Sequence, residues 1–314
     1  MIETVTVIGA GTMGRSITQY FLQRNVNVLF VEEDESVMKD AISSIERQIE
    51  ELEEKDFIST RKDDCISNLK TIQTLTGEIS TDLVIEAIPE KMPLKQKIFA
   101  ELEEKCNNTT IFATNTSGLS ISEIASVLKH PERLIGTHFF TPAAIVPLVE
   151  VVKGEKTSEI VTNFVMDGLE ELGKRPVLLK KEIPGFIGNR LQHAISREAI
   201  SLLESGVASA EDIDTVVKWS IGLRMVLTGP IEQRDINGLN VHYDIASYLY
   251  KDLNNSSAPS PLLKEKIDKG ETGLKEKKGF YDWDKVDYKN SIKEKDEKLL
   301  ELIQLISQNK TRGD

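Results

Sequence analysis

The sequence predicts an α/β fold: a doubly wound, mostly parallel sheet followed by an all-helical C-terminal domain. Three observations carry this. Short β-like runs alternate with amphipathic helical patterns through the first half and somewhat beyond. A glycine-rich turn, Gly9-Ala10-Gly11-Thr12-Met13-Gly14, stands between the first strand-like run and the first helical one. Strand signals then almost cease after Pro184-Gly185.

The strand candidates are 4–8, 26–31, 83–87, 110–114, 134–138, 147–152 and 176–180. Leu83-Val84-Ile85 is apolar without alternation, as a strand covered on both faces requires. Met13, Ile17 and Phe21 recur at helical spacing, as do Met38, Ile42, Ile45, Ile49 and Leu52. Segment 157–172 closes on Gly173, a residue suited to the left-handed position beyond a helix end. Beyond the change of pattern at 181–185, a helical run over 186–205 ends at Gly206. Ser209, with Asp212 three residues later, reads as a helix N-cap. Helical patterns follow at 240–251 and 260–268, and Gly279-Phe280-Tyr281 is a short strand-like stretch. The expected division is a sheet domain over 1–184, a helical domain over 185–284 and a charged helical tail over 285–314. In the tail, Leu299, Leu300, Leu302, Ile303 and Ile306 offer one apolar stripe for packing on the same domain or a partner subunit. The closing Arg312-Gly313-Asp314 spells an adhesion tripeptide and is read as chance.

Composition narrows the function. The 314 residues carry 39 Lys and Arg against 51 Asp and Glu, a net charge of −12, which argues against general nucleic-acid binding. No apolar run approaches the ~20 residues of a membrane span. Met1 leads directly into Thr4-Val5-Thr6-Val7-Ile8, so no secretory signal is expected. Cys65 and Cys106 fit no metal spacing and read as the thiols of a reduced, cytoplasmic protein.

The glycine turn matches G-x-G-x-x-G behind a strand and at the opening of a helix, the Rossmann-type context that makes this pattern informative. Gly9 permits the tight turn, Gly11 lets a diphosphate approach the backbone, and Gly14 lets helix and strand pack closely. With Ala10, Thr12 and Met13 between them, they form the expected cofactor cradle, where helix N–H groups meet phosphate charge. Glu32 stands 18 residues beyond Gly14, at the end of the second strand, where a carboxylate accepts from the adenosine ribose hydroxyls. Glu33 and Asp34 follow without a nearby Arg, so a 2′-phosphate would meet only negative charge. This favours NAD over NADP; a flavin site and a turn holding no nucleotide are the alternatives.

Of four histidines, His130 and His242 read as surface or helix residues. His138 ends the apolar run Leu134-Ile135-Gly136-Thr137, at the carboxyl end of a strand, where open α/β sheets bind ligands. Glu150 lies inside Pro147-Leu148-Val149-Glu150-Val151-Val152, and a carboxylate in such a run is costly without a partner. Paired, the acid fixes the tautomer of the imidazole and the imidazole takes a hydroxyl proton. Unpaired, they are two unrelated buried polar residues. Ser117, behind the strand Ile111-Phe112-Ala113-Thr114, either hydrogen-bonds the reacting oxygen or caps a helix. Asn189 either donates to a substrate carbonyl or bonds within a helix start.

These stretches also carry a resemblance. Val7 through Gly14, Asp82-Leu83-Val84-Ile85-Glu86-Ala87-Ile88, Asn115-Thr116-Ser117, Gly136-Thr137-His138-Phe139-Phe140-Thr141-Pro142, Leu148-Val149-Glu150-Val151 and Pro184-Gly185-Phe186-Ile187-Gly188-Asn189-Arg190 stand in one order. Glu211-Asp212-Ile213-Asp214, Gly229-Pro230 and Lys278-Gly279-Phe280-Tyr281 continue it. The chain resembles the L-3-hydroxyacyl-CoA dehydrogenase family over about residues 4 to 283. The resemblance implies an NAD-binding domain, a helical domain that binds substrate and forms a homodimer, and substrate in the cleft between the two. It implies that His138 and Glu150 are the catalytic pair and that Ser117 and Asn189 contact substrate. It places Glu90 and Lys95 at the nicotinamide half of the cofactor, and Asn115, Ser117, Thr141 and Lys275 at further cofactor positions. The implied reaction oxidises an L-3-hydroxyl to a ketone within fatty acid metabolism, on a short chain such as 3-hydroxybutyryl-CoA. No metal is implied.

The sequence departs from the family at two places. Thr141 stands where the family usually has Asn, keeping a hydroxyl and losing an amide. The arm after the second strand is acidic, Glu50-Glu51-Leu52-Glu53-Glu54-Lys55-Asp56, where acyl-CoA members tend to be lysine-rich. Arg61, Lys62 and Lys70 remain as CoA contacts. Ile145 through Glu150, and Gly222-Leu223-Arg224 with Gly229-Pro230-Ile231-Glu232, are similar to the branch that oxidises free hydroxy acids, the carnitine and lambda-crystallin-related gulonate dehydrogenases. The alternatives to an acyl-CoA dehydrogenase are therefore a free hydroxy acid dehydrogenase and a non-enzymatic nucleotide-binding or structural protein.

Overall fold

The structure is a computed structural model that describes residues 1–309. Arg312-Gly313-Asp314 lies outside the described residues. The chain divides into two compact units, Met1–Arg190 and Leu191–Asp314.

In the first unit, strands β1 (Thr4–Ile8), β2 (Asn27–Val31), β3 (Leu69–Ile72), β4 (Leu83–Glu86), β5 (Ile111–Thr114), β6 (Leu134–Phe139), β7 (Leu148–Val152) and β8 (Arg175–Leu179) form one sheet in the order β3-β2-β1-β4-β5-β6-β7-β8. Every neighbouring pair is parallel except β6 and β7. Helices α1 (Thr12–Leu22), α2 (Glu35–Glu54), α3 (Lys62–Ser67), α4 (Met92–Lys105), α5 (Ile121–Ala125) and α6 (Glu159–Glu171) connect them. The doubly wound sheet is visible in the side chains. Leu83 and Ile85 join a core with Ile17, Phe21, Ile45 and Val165, while Val84 between them joins a second core with Phe99, Leu102 and Ile124. Alternation along a strand sends neighbours to opposite faces, and both faces are covered.

All seven sequence-expected strands form, and β3 was missed. It is an edge strand paired only with β2, its Lys70 and Thr71 are exposed, and its two apolar residues lie three apart, which signals no strand period. Gly173, at φ +84°, closes α6 as its position predicts.

The antiparallel step is what positions the site. After β6 the chain turns back through residues 140–147, and β7 runs beside β6 with His138 directly opposite Glu150. Lys174 holds this turn by donating from Nζ to the carbonyls of Ala143 and Val146, and Ser16 Oγ accepts from the Ala144 N–H.

Helix α7 (Gly188–Glu204) begins in the first unit and continues into the second. The second unit adds α8 (Ala210–Val216), a π-helical turn over Val217–Gly222, α9 (Leu223–Leu227), α10 (Glu232–Asn237), α11 (Leu239–Leu249), α12 (Pro261–Asp268) and α13 (Tyr288–Asn309). Ser209 caps α8 by accepting from the Asp212 N–H. The expected strand at Gly279-Phe280-Tyr281 is reduced to isolated bridges, Gly273 with Lys278 and Lys278 with Asp282. Among the described residues of this unit only Gly279 is buried; Trp219, Leu227, Ile231 and Tyr243 are each more than 70% exposed. Leu299, Leu300, Ile303 and Ile306 of α13 are half-buried and Leu302 is exposed. No helix among the described residues is long and apolar enough to cross a membrane.

Phe112 is fully buried, edge-on to Phe99 and beneath the Arg133 guanidinium. Phe112→Ala should destabilise the first unit by about 3–5 kcal/mol. Urea denaturation reads this, and a loss below about 1 kcal/mol would show that the second core collapses freely around the gap.

Candidate active site

The glycine turn folds as its residue types require. Gly9 sits at φ +96°, where a side chain would be strained, and a Cβ on Gly14 would lie 1.7 Å from the Gly9 carbonyl oxygen. Gly11, the N-cap of α1, offers no side-chain cap, and a Cβ there would meet nothing within 4 Å. The first N–H groups of α1 at Thr12 and Met13 therefore lack a side-chain acceptor from the N-cap, and the space beside Gly11 is open. A diphosphate fits this cradle. Glu32 lies beside it, with Oε2 accepting from the Ala10 N–H at 2.9 Å and Oε1 from the Asp34 N–H at 3.1 Å. The acid thus stands beside the glycine turn, just beyond the end of β2. Asp34 is occupied as the N-cap of α2.

His138 Nδ1 lies 2.8 Å from Glu150 Oε2, and both side chains are buried. A carboxylate only accepts, so Nδ1 carries the proton and Nε2 presents a lone pair. The rings of Phe140 and Phe186 lie 4.6 and 5.6 Å from the imidazole, centroid to centroid. Glu150 Oε1 accepts from two successive backbone N–H groups, Ile187 at 2.8 Å and Gly188 at 2.9 Å. Phe186, at φ +50°, makes the turn that aims them. A Cβ on Gly188 would come within 2.4 Å of the Phe140 ring, so glycine is required there. Burial pushes the Glu150 carboxyl up, but the hydrogen bonds from His138, Gly188 and Ile187 outweigh it and hold it below the ordinary value.

The other expected residues separate into two groups. Asn189 Nδ2 donates to the Ser117 carbonyl at 3.2 Å, so these two stand together, and Ser117 is exposed. Ser117 does not cap a helix; Ser120 caps α5. Glu90 Oε1 accepts from the Thr116 hydroxyl at 2.6 Å and the Ser117 N–H at 2.8 Å. Asn115 Oδ1 accepts from the Phe139 N–H, tying the end of β5 to the strand that carries His138. Thr141 donates to Met13 Sδ, joining the turn after β6 to the glycine turn. Lys95, expected at the nicotinamide, is wholly buried, with Nζ 2.6 Å from Glu86 and 3.3 Å from Glu90. Lys275 belongs to the second unit, exposed in the turn closed by the Gly273–Lys278 bridge.

Sequence reasoning missed Glu86, Thr116, Phe186 and the Ile187–Gly188 N–H pair. Glu86 carried the signal that marked Glu150, a carboxylate inside an apolar strand. The N–H pair carried none, because backbone direction is not written in residue type. No group of three or more His, Cys, Asp or Glu among the described residues could hold a metal.

Because the Glu150 carboxyl titrates lower folded than unfolded, it contributes stability above the ordinary value of 4.5 that is lost as pH falls through the folded one. The stability gap between native chain and Glu150→Gln should therefore narrow from pH 6 to pH 4, read as urea midpoints. A gap that widens on acidification would contradict the pairing.

Comparison with known proteins gives two matching family models, the 3-hydroxyacyl-CoA dehydrogenase NAD binding domain over residues 4–183 and its C-terminal domain over 185–283. The human mitochondrial hydroxyacyl-coenzyme A dehydrogenase is 37% identical over 290 residues, covering 90% of this chain and 91% of the relative. The 5-formyl-3-hydroxy-2-methylpyridine 4-carboxylate 5-dehydrogenase of Mesorhizobium japonicum is 30% identical over 282 residues, 90% and 91% of the two chains. A solved structure of an enzyme of that name, described as an NAD+ dependent dismutase, matches with TM-score 0.89 at 29% identity, covering 98% of this chain and 99% of the other. The (S)-3-hydroxybutyryl-CoA dehydrogenase of Ralstonia eutropha matches with TM-score 0.73 at 29% identity, covering 90% and 99%.

Proposed function

Because the chain belongs to the 3-hydroxyacyl-CoA dehydrogenase family, we propose that it oxidises the 3-hydroxyl of a short-chain L-3-hydroxyacyl-CoA, such as 3-hydroxybutyryl-CoA, to the ketone. The observation that carries this is the buried His138–Glu150 pair with Nε2 left to accept a proton. NAD, when bound on the glycine turn, supplies the hydride acceptor. The chain's own part is to hold the hydroxyl against Nε2, take its proton, and keep water away with Phe140 and Phe186. Glu150, fixed by two N–H groups, keeps the imidazole in one tautomer and offsets the charge it gains. Ser117 and Asn189 contact the reacting oxygen and the substrate carbonyl. The enzyme acts in the cytoplasm, a setting consistent with two buried free thiols that burial pushes up to about 11, and in fatty acid metabolism.

A second reading, oxidation of a free acid such as carnitine or gulonate, is favoured by the arm after β2. Lys62 Nζ lies 3.2 Å from Glu50, and Arg61 lies 3.9 Å from Asp63. Two of the three basic residues available for CoA phosphates therefore already stand beside acids, one on the arm and one in α3.

NAD reduction measured side by side with 3-hydroxybutyryl-CoA, L-carnitine and L-gulonate decides between the readings. Turnover is expected on the thioester; turnover on a free acid alone would reject the first reading. On the active substrate, His138→Ala should lower kcat by about 10²–10⁴-fold, and the native rate should fall on acidification, because a protonated imidazole cannot accept the proton. Full activity in His138→Ala would end the base assignment.

We further propose that residues 185–284 form the substrate and dimerisation domain, because its helices leave large apolar side chains uncovered. Sedimentation at micromolar concentration should show a dimer, and a monomer there would refute this.

A further inference from the structure

Lys174 lies between α6 and β8, just past the left-handed Gly173, and only 4% of it is exposed. Its backbone N–H donates to the Leu169 carbonyl at 2.8 Å. Its Nζ donates to the carbonyls of Ala143 at 2.5 Å and Val146 at 2.6 Å. The same atom lies 4.2 Å from the centre of the Tyr20 ring and 5.6 Å from that of Phe139. The charged group nearest in influence is another cation, Arg24, whose guanidinium lies 4.0 Å from the centre of the Tyr20 ring. Burial, with the charge of Arg24 added to it, pushes the Lys174 ammonium down to about 7. A cation held on carbonyl oxygens and aromatic rings in this way costs stability, and the proton transfer above does not use it.

What the ammonium holds is the turn over residues 140–147, which starts two residues after His138. Phe140 packs on the imidazole, Thr141 donates to Met13 Sδ at 3.2 Å, and the Ala144 N–H donates to Ser16 Oγ at 3.1 Å. Met13 and Ser16 belong to α1, the helix that opens at the glycine turn. Inside the turn, the N–H groups of Ile145 and Val146 both donate to the Pro142 carbonyl, and the Pro147 carbonyl accepts from the Arg175 N–H. The carbonyls of Ala143 and Val146 are the ones Nζ takes. We propose that Lys174 is a positioning residue for the cofactor site: its ammonium clamps the 140–147 turn against α1 and so keeps Thr141 on Met13 beside the glycine turn. Charge-assisted hydrogen bonds are roughly twice as strong as neutral ones, so the protonated lysine is the better clamp. The groups that face it are Tyr20 and Arg24 from α1 and Phe139 from β6, and the turn itself carries no ionisable side chain. Burial pushes Tyr20 up, so it stays a phenol that donates to the Leu172 carbonyl, and Arg24 stays a cation. Within this cluster only Lys174 changes charge near neutrality, and the clamp loosens as pH rises through that range.

The test is calorimetry of NADH binding to the full chain at pH 6 and pH 8.5. It needs no oxidisable substrate, so the result is independent of which hydroxy compound the enzyme takes. Lys174→Met fills the space without a donor, and Lys174→Gln keeps two N–H donors without a charge. At pH 6 each variant should bind NADH at least tenfold more weakly than the native chain. At pH 8.5 the native advantage over Lys174→Gln should shrink to less than threefold, because both side chains are then neutral donors. Other groups that titrate in this range, His138 among them, are common to the two chains and cancel in the ratio. A lysine that only braces the fold leaves NADH affinity within twofold of native in both variants, which overturns the proposal. An advantage over Lys174→Gln that is the same at both pH values overturns it as well, since the ammonium is then not the clamp. Should Lys174→Met fail to fold, the ratio to Lys174→Gln at the two pH values decides.

Discussion

The site depends on one register. Because β7 runs antiparallel to β6, Glu150 lies directly across from His138, with both side chains on one face of the sheet. A one-residue slip would send the carboxylate to the opposite face and leave two buried polar groups unpaired. The register is secured by the neighbouring pairs, by Lys174 gripping the carbonyls of the connecting turn, and by the β8 ladder on the far side of β7. The hydrogen bond at 2.8 Å is a consequence of sheet geometry rather than of any flexibility in the side chains.

Around this pair, hydrogen-bond capacity is filled from the backbone. Glu150 uses one oxygen for the imidazole and the other for the N–H groups of Ile187 and Gly188. The left-handed Phe186 and the missing side chain at Gly188 both serve that arrangement. Such N–H donors stabilise the ionised acid without adding a countercharge that would compete for the imidazole. Glu86 follows the opposite strategy, meeting a full ammonium at its end of the sheet. One buried acid is arranged to orient its imidazole, the other to hold a cation still.

The two units differ in how they bury apolar surface. The first covers both faces of an eight-stranded sheet. Among its described residues the second buries only Gly279 and leaves residues such as Trp219 and Tyr243 in the open. The sheet unit holds the glycine turn and the His138–Glu150 pair.

Much of this was legible beforehand, and for a definite reason. The glycine turn, Glu32, the seven strands and the His138–Glu150 pairing rest on local rules: which residues tolerate a positive φ, which runs suit a covered strand, and which polar group needs a partner in an apolar stretch. Edge strand β3 escaped because its exposed residues break the period that such rules read. The sequence by itself determined the sheet, the glycine turn, the cofactor preference and the pairing of His138 with Glu150. Only the tertiary structure decided that Lys95 is sealed between two acids, that Phe140 and Phe186 wall the imidazole, and that the start of α7 donates to Glu150. Those contacts join residues far apart in the chain through backbone direction and side-chain reach, and neither is encoded in the order of residue types.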